Sequence, residues 1–476
     1  MNGHIIQERI PVVPRSVKGR FRYIKTSILL FAYGVYFLLP WLTWQRSVGP
    51  NQAILFDIVD RHFYIFNLVV YAQDIFWLAG LLLIAAMLLF FITAILGRVF
   101  CGYFCFQTLW TDVFIFIERL VQGERNARIK LINSDWNKNK IFKITLTHIL
   151  WILMSLVTGL TFTLYWGYAP ELLEQIFTGT APFAAYATMS FLATTTYFMA
   201  GLAREQTCTY MCPYARFQSA MFDKNTFTVT YDQQRGERSK GRQKPRAGMT
   251  NHETRIEHKV GDCIDCGYCV QVCPTGIDIR DGMQYECITC ALCIDACDTI
   301  MEKIGYPTGL IRYSSEVIEQ GKKTKWLRLN VVGYGLVLLL IIALLAWSIT
   351  TRDKLELIVL KVRQPLSVTL SDGREQNRYE IKINNKTSEL MEFKIKIKGL
   401  KEYELNIGDF DKYVVKAQSS VRIQAKVRQH PKYATATRQS FQFVVEPQGA
   451  TELENLVWNS IFSIPVSRIK TDNGGQ

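Results

Sequence analysis

Two stretches of this chain admit very few folds. IFWLAGLLLIAAMLLFFITAILG (75–97) and VVGYGLVLLLIIALLAWSIT (331–350) contain no charged residue. A helix needs about 20 mostly apolar residues to cross the hydrocarbon core of a bilayer, and soluble cores rarely use runs of that length. Three further segments, roughly 27–44, 141–165 and 181–203, are apolar on the same scale although they carry Pro, Thr or Tyr. The expectation is a five-span transmembrane α-helical bundle. An overall apolar content of 49% would not have announced it; the bunching does.

Lys and Arg set the orientation, because they accumulate in cytoplasmic loops. Arg9, Arg15, Lys18, Arg20, Arg22 and Lys25 precede the first span. Arg98, Arg119, Arg125, Arg128, Lys130, Lys138 and Lys140 separate the second from the third. The loop between the first and second spans carries Arg46 and Arg61, and 166–180 carries neither Lys nor Arg. The amino terminus is therefore expected in the cytoplasm and the carboxy terminus outside. LPWLTWQRSV offers no small-residue cleavage site, so the first span is expected to persist. Much of the net charge of +14 then belongs to these loops. The basic run RGERSKGRQKPR (235–246) reads as a solvated linker beside anionic headgroups, not as a nucleic-acid site.

All twelve cysteines fall on the cytoplasmic side of this topology, which implies no disulfide framework. Residues 263–297 read CIDCGYCVQVCPTGIDIRDGMQYECITCALCIDAC, two copies of C-x-x-C-x-x-C-x-x-x-C. Three close cysteines wrap one iron–sulfur cluster and the fourth crosses to the other. Cys263, Cys266, Cys269 and Cys297 should thus hold one [4Fe–4S] cluster, and Cys287, Cys290, Cys293 and Cys273 the second. Zinc favours two separated C-x-x-C pairs instead. Pro274 follows Cys273, whereas Asp298 follows Cys297, which leaves the second turn open. Two neighbouring clusters pass single electrons. No Gly-rich nucleotide fingerprint, flavin motif or C-x-x-C-H sequence is present, so the chain shows no site for a soluble hydride donor.

The remaining four cysteines form two matched pairs, CGYFC (101–105) and CTYMC (208–212), each following an apolar segment heading inward. On a helix, sulfurs at i and i+4 share one face. Cys101, Cys105, Cys208 and Cys212 could then converge in one site at the inner membrane edge, with Met211 as a further soft neighbour. Thiolates suit Cu(I), zinc or an iron–sulfur cluster; alternatively each pair cycles between dithiol and disulfide.

GRVFCGYFCFQTLWTD, CTYMCPYARFQSAMFD and the doubled cysteine run together resemble the CcoG/FixG family of membrane polyferredoxins, and the resemblance covers essentially the whole chain. It implies an accessory protein for assembly of cbb(3)-type cytochrome c oxidase, acting by reduction of Cu(II) to Cu(I) for copper delivery. Oxidase assembly factors and copper transporters or chaperones are the partners it implies, and the bacterial inner membrane the location. The family motif is often C-x-x-x-C-P; here Pro213 follows Cys212, but Phe106 follows Cys105.

The expected organisation is a cytoplasmic segment (1–25), a four-span domain with both thiol motifs (26–220), a linker and ferredoxin-type module (221–326), a fifth span (327–350) and an outer domain (351–476). In the last, RYEIKINN, MEFKIKIKG, SVRIQAKVRQ and QSFQFVVEP alternate apolar and polar residues between turn clusters, which predicts a small antiparallel β-sandwich. The resemblance implies that it is immunoglobulin-like and contacts a partner outside the membrane. His148 in the third span reads as a histidine hydrogen-bonded within the bundle. The stretch 53–73, with Asp57, Asp60, Arg61 and His62, reads as interfacial structure in which His62 is a candidate metal contact. Two other functions fit these features: a quinol-linked conduit, as in polyferredoxin subunits of nitrate or nitrous oxide respiration, and a non-redox assembly scaffold.

Overall fold

The computed structural model describes residues 12–46, 49–59, 61–71, 74–246, 251–387, 389–408, 412–417, 419–433, 436–448 and 454–465. Arg9, Asp60 and the two ends of the chain lie outside these. Two units result: Met1–Trp44 with Gln52–Ala346, and Gln45–Asn51 with Trp347–Gln476.

In the first unit, α1 (Arg20–Leu38), α2 (Ile75–Leu96), α6 (Lys138–Thr163) and the helix Leu329–Thr350 fall on four of the expected spans. The fourth expected span, 181–203, is α8 (Phe183–Thr196) running on as π-helix through Tyr197–Ala203. It packs along α6 so closely that a Cβ on Gly159 would lie 2.4 Å from the Met189 carbonyl oxygen, the small-residue contact by which membrane helices approach. Among the described residues five helices are long and apolar enough to cross a membrane, but Val99–Gln122 is among them in place of 181–203. The sequence reading treated that segment as a charged loop.

Val99–Gln122 is two helices, α3 (Val99–Tyr103) and α4 (Phe106–Gln122), followed by α5 (Arg125–Asn133). Both ends of α4 lie on the ferredoxin side. At its start Tyr103 donates to the Cys290 carbonyl at 3.1 Å. At its end Glu124 accepts from Ser16 and Arg125 donates to the Val13 carbonyl, while Ser16 itself accepts from Tyr268. A helix whose two ends meet the same module does not cross; α4 packs on the bundle, where Trp110 donates to Thr158 and Trp151 to the Phe114 carbonyl. Its buried face explains the charges within it: Asp112 pairs with Arg22 at 2.9 Å and faces the fully buried Lys25 at 3.8 Å. Glu118 pairs with Arg204 and with Arg128.

The ferredoxin module and the bundle are joined by a cap. Asp295, between two cluster cysteines, accepts from the backbone amides of Phe21 and Arg22 at 3.1 and 2.7 Å. It thereby satisfies orphan donors at the start of α1. On the far side, β1 (Ile54–Asp57), β2 (His62–Ile65) and β3 (Leu68–Tyr71) form an antiparallel sheet in the order β1-β2-β3, beside α7 (Ala169–Thr178).

The second unit is a two-sheet sandwich. One sheet has the order β10-β12-β8-β6, with β7 pairing β8; the other has the order β11-β9-β13-β14. Their ranges are β6 Leu355–Lys361, β7 Val368–Thr369, β8 Glu375–Asn385, β9 Met391–Lys398, β10 Tyr403–Asn406, β11 Tyr413–Val415, β12 Ser419–Gln429, β13 Arg438–Gln448 and β14 Leu456–Ser463; β4 (Thr228–Tyr231) and β5 (Ile311–Ser314) belong to the ferredoxin module. Alternation makes the core: Met391, Phe393, Ile395 and Ile397 of β9 point in, against Tyr379, Ile381 and Ile383 of β8 and Phe443 of β13, while Lys394, Lys396 and Lys398 point out. Such period-two burial is what a half-buried strand requires.

Candidate functional site

Each triple-cysteine loop wraps its thiols by the same backbone device. The residues before and after the middle cysteine are left-handed in both copies: Asp265 and Gly267 around Cys266, Thr289 and Ala291 around Cys290. L-residues other than glycine rarely adopt this conformation, and strain of this kind concentrates at functional sites. Short helices follow, Tyr268–Gln271 and Leu292–Lys303. The missing proline after Cys297 has a structural reason. Helix 292–303 runs through that position, where Asp298 accepts from the Gly309 amide at 2.8 Å; proline there would remove a helical hydrogen bond.

Two cavities of nearly equal size lie within. Cys263, Cys266, Cys269 and Cys297 line one, of about 20 Å³. Cys273, Cys287, Cys290 and Cys293 line the other, also about 20 Å³, which Cys269 reaches as well. Apolar side chains close both, among them Ile264, Ile300 and Met301 around the first and Val229, Ile277 and Leu292 around the second. Among the described residues, no three ligating side chains are gathered closely enough for a single metal ion. A zinc ion with Zn–S bonds of about 2.3 Å would draw its sulfurs together; the four thiols that line each pocket match the ligand set of a cluster instead. Burial pushes the Cys269 and Cys287 thiols up to about 12 and raises Cys293 and Cys297 as well. Four thiolates in so apolar a space need compensating positive charge, which iron supplies.

The paired thiols repeat a different shape. Cys101 is on α3, and Cys105 is the extended residue that precedes α4. Cys208 is on the π-helix Thr207–Met211, and Cys212 is the extended residue that precedes helix Pro213–Ala220. In each copy the second cysteine's amide bonds to the carbonyl five residues back: Cys105 to Phe100 at 3.0 Å, Cys212 to Thr207 at 2.9 Å. The expectation of two thiols on one helical face is corrected, because the helix stops between them. Phe106 replaces proline without changing the turn, since the first amide of a helix has no partner within the helix.

The two copies meet. Cys208 lies within electrostatic range of Cys101, Cys105 and Cys212. Cys101 donates to Gln218 Oε1 at 3.1 Å, and fully buried Gln218 donates in turn to Thr93 and Tyr214. Gln218 belongs to the second copy and holds a thiol of the first. Buried Arg98 faces Cys101, Cys208 and Cys287 and donates to the Tyr285 carbonyl. The matching tyrosines differ in place: Tyr103 is buried and Tyr210 exposed, as is Met211.

The first thiol motif also touches the second cluster loop. Beyond the Tyr103 hydrogen bond, a Cβ on Gly102 would lie 2.7 Å from the Ile288 carbonyl oxygen and 2.9 Å from Cys290 Cα. Only glycine permits this approach. Cys101, Ile288, Cys290 and Leu292 share one apolar cluster. A thiol pair at the bundle thus abuts a cluster ligand of the module.

His148 is hydrogen-bonded within the bundle as expected, to the Tyr197 hydroxyl at 2.9 Å. His62 stacks edge-on against Tyr64 and Tyr71. The run 235–246 is not a free linker: Arg235 and Arg238 pair with fully buried Asp262, and Arg242 pairs with Glu237 and Asp281. Gln218, Arg98 and Gly102 had no spacing signal that would single them out.

Comparison with known proteins gives three family matches. Residues 203–316 match a "4Fe-4S dicluster domain", residues 78–122 a "4Fe-4S binding domain", and residues 345–465 an "IG-like fold at C-terminal of FixG". The chain is 41% identical to Protein RdxB of Cereibacter sphaeroides over 415 residues, covering 84% of each. It is 42% identical to Protein RdxA of the same organism over 414 residues, again 84% of each. It is 38% identical to the Nitrogen fixation protein FixG of Rhizobium meliloti over 442 residues, covering 84% of this chain and 81% of that one.

Proposed function

This chain belongs to the FixG family of membrane iron–sulfur electron-transfer proteins, and on that premise we propose that it passes single electrons to its membrane-edge thiols to reduce Cu(II) to Cu(I). The copper is destined for assembly of a cbb(3)-type cytochrome c oxidase. The observation that carries this reading is the packing of Cys101–Tyr103 on the backbone of Cys290.

Cys263, Cys266, Cys269 and Cys297 would hold one [4Fe–4S] cluster and Cys273, Cys287, Cys290 and Cys293 the other, each of which would supply one electron at a time. The protein's own groups do the rest. Gly102 keeps the thiol motif against the second set. Gln218 orients Cys101. Arg98 places a fixed cation between thiols and cluster loop, where it offsets thiolate charge. Soft thiolates at Cys101, Cys105, Cys208 and Cys212 favour Cu(I) over Cu(II), so one electron delivered there converts one Cu(II) ion. The module faces the cytoplasm of a bacterial inner membrane and the sandwich the periplasm, where it meets assembly partners.

One observation favours a second reading: residues 78–122, which carry Cys101 and Cys105, match a 4Fe–4S binding domain, so the four thiols would hold a further cluster. Replacing Cys208 and Cys212 by Ser separates the two. Loss of Cu(II) reduction with iron content retained supports the copper site; loss of iron supports the further cluster; full activity excludes the thiols from copper chemistry.

A further inference from the structure

Of the twelve cysteines, Cys266 alone is exposed. The second set is packed at Cys290 against Gly102 and Tyr103, which leaves the first set, with its exposed Cys266, as the more open entry for electrons from solution. On the segments beside that edge exposed cations outnumber exposed carboxylates, Lys240, Lys244, Arg246 and Lys259 against Glu253 and Glu257. Arg255, fully buried, donates to the Cys263 carbonyl at 3.1 Å and to the Gln243 carbonyl at 3.0 Å. It pins the loop 240–246 beside the first cysteine loop. The Lys240 amide bonds to the Lys259 carbonyl at 3.1 Å, which brings the two segments edge to edge. Asp265, next to Cys266, is matched by Arg280 at 2.7 Å. Among the described residues, Lys240, Lys244, Arg246 and Lys259 are exposed and enter no ion pair.

From these positions we infer that the face built by Lys240, Lys244, Arg246 and Lys259 beside Cys266 docks an acidic, one-electron carrier protein of the flavodoxin or ferredoxin class. The inference rests on the cluster assignment above. Charge of one sign at the rim of a contact steers an oppositely charged partner and sets its rate of association. The transfer balances with a flavodoxin hydroquinone as donor: its anionic flavin gives up one electron to become the neutral semiquinone, the oxidised first cluster gains that electron, and no proton moves. Anionic headgroups are the competing occupant. A contact with them leaves a soluble donor's rate untouched.

The test uses the full chain in nanodiscs of neutral lipid, anaerobically. Flavodoxin hydroquinone is mixed with wild type and with Lys240→Glu/Lys244→Glu/Arg246→Glu, and cluster bleaching is followed by stopped flow. The second-order rate should fall by about tenfold or more at low salt in the variant. The wild-type rate should drop as ionic strength rises, and the variant's should not. Dithionite should reduce both proteins to the same extent, with equal iron content. Wild-type rates in the triple variant at low salt would overturn the docking face. Loss of binding to phosphatidylglycerol vesicles with the flavodoxin rate unchanged would assign the patch to the membrane and overturn it too. Failure of dithionite to reduce either protein would remove the cluster assignment beneath it.

Discussion

Gly102→Ala should disable electron delivery without removing the clusters. The added Cβ would stand 2.7 Å from the Ile288 carbonyl oxygen, 2.9 Å from Cys290 Cα and 3.1 Å from Cys290 N, where ordinary contact begins near 3.4 Å. The shortfall is roughly 0.7 Å, and all three atoms are backbone, so no side-chain rotation relieves it. Overpacking of this sort costs about 1–3 kcal/mol, equivalent to about 5–150-fold in the ratio of docked to undocked motif. Gly333→Ala is the control, since nothing lies within 4 Å of its Cβ position. The assay is Cu(II) reduction by dithionite-reduced, desalted protein, followed with a Cu(I) chelator, alongside iron content. The rate should fall within that range for Gly102→Ala, with iron retained, and stay at wild type for Gly333→Ala. A Gly102→Ala protein with wild-type rate would refute the contact as the route.

Anaerobically purified protein should contain about eight iron and eight sulfide per chain; stoichiometric zinc with negligible iron would contradict the cluster sets. Reporter fusions should be cytoplasmic at Lys240 and external at Asp372, as the Lys and Arg distribution requires. In the sandwich, burial, aided by Arg438, lowers the Lys361 ammonium to about 8, against about 10.4 in an unfolded chain. The folded state then binds this proton more weakly than the unfolded state, so stability rises as pH climbs between those values. Calorimetry of the full chain should show the sandwich transition moving up over that interval, and Lys361→Met should flatten the trend.

What could be read from the sequence followed from chemistry that is local along the chain. Cluster ligation imposes its spacing on nearby residues, so the two fours of cysteines could be grouped before any fold was known. Strand alternation such as MEFKIKIK has period two, and β9 carries it unchanged. The runs 75–97 and 331–350 are helices because nothing polar interrupts them. The failures are tertiary. Arg119 is counted among the loop cations, whereas α4 packs because its buried carboxylates Asp112 and Glu118 meet Arg22, Lys25, Arg128 and Arg204 from distant segments. The paired thiols could be matched as a repeat, but the helix break before Cys105 and Cys212 depends on carbonyls left free five residues back. Gln218 matters only because it reaches a thiol of the other copy. The cations of 235–246 looked solvated because buried Asp262 lies well downstream.

The most direct measurement is a single turnover. Protein with both clusters reduced by one electron each, freed of excess reductant, is mixed with Cu(II), and the cluster electron paramagnetic resonance signal and Cu(I) are quantified together. Wild type should lose the cluster signal and yield about two Cu(I) per chain, from two one-electron clusters. Cys101→Ser/Cys105→Ser/Cys208→Ser/Cys212→Ser should keep its cluster signal and yield almost none. Equal Cu(I) yield and equal loss of signal in both proteins would show that copper takes its electrons from the clusters without the thiols.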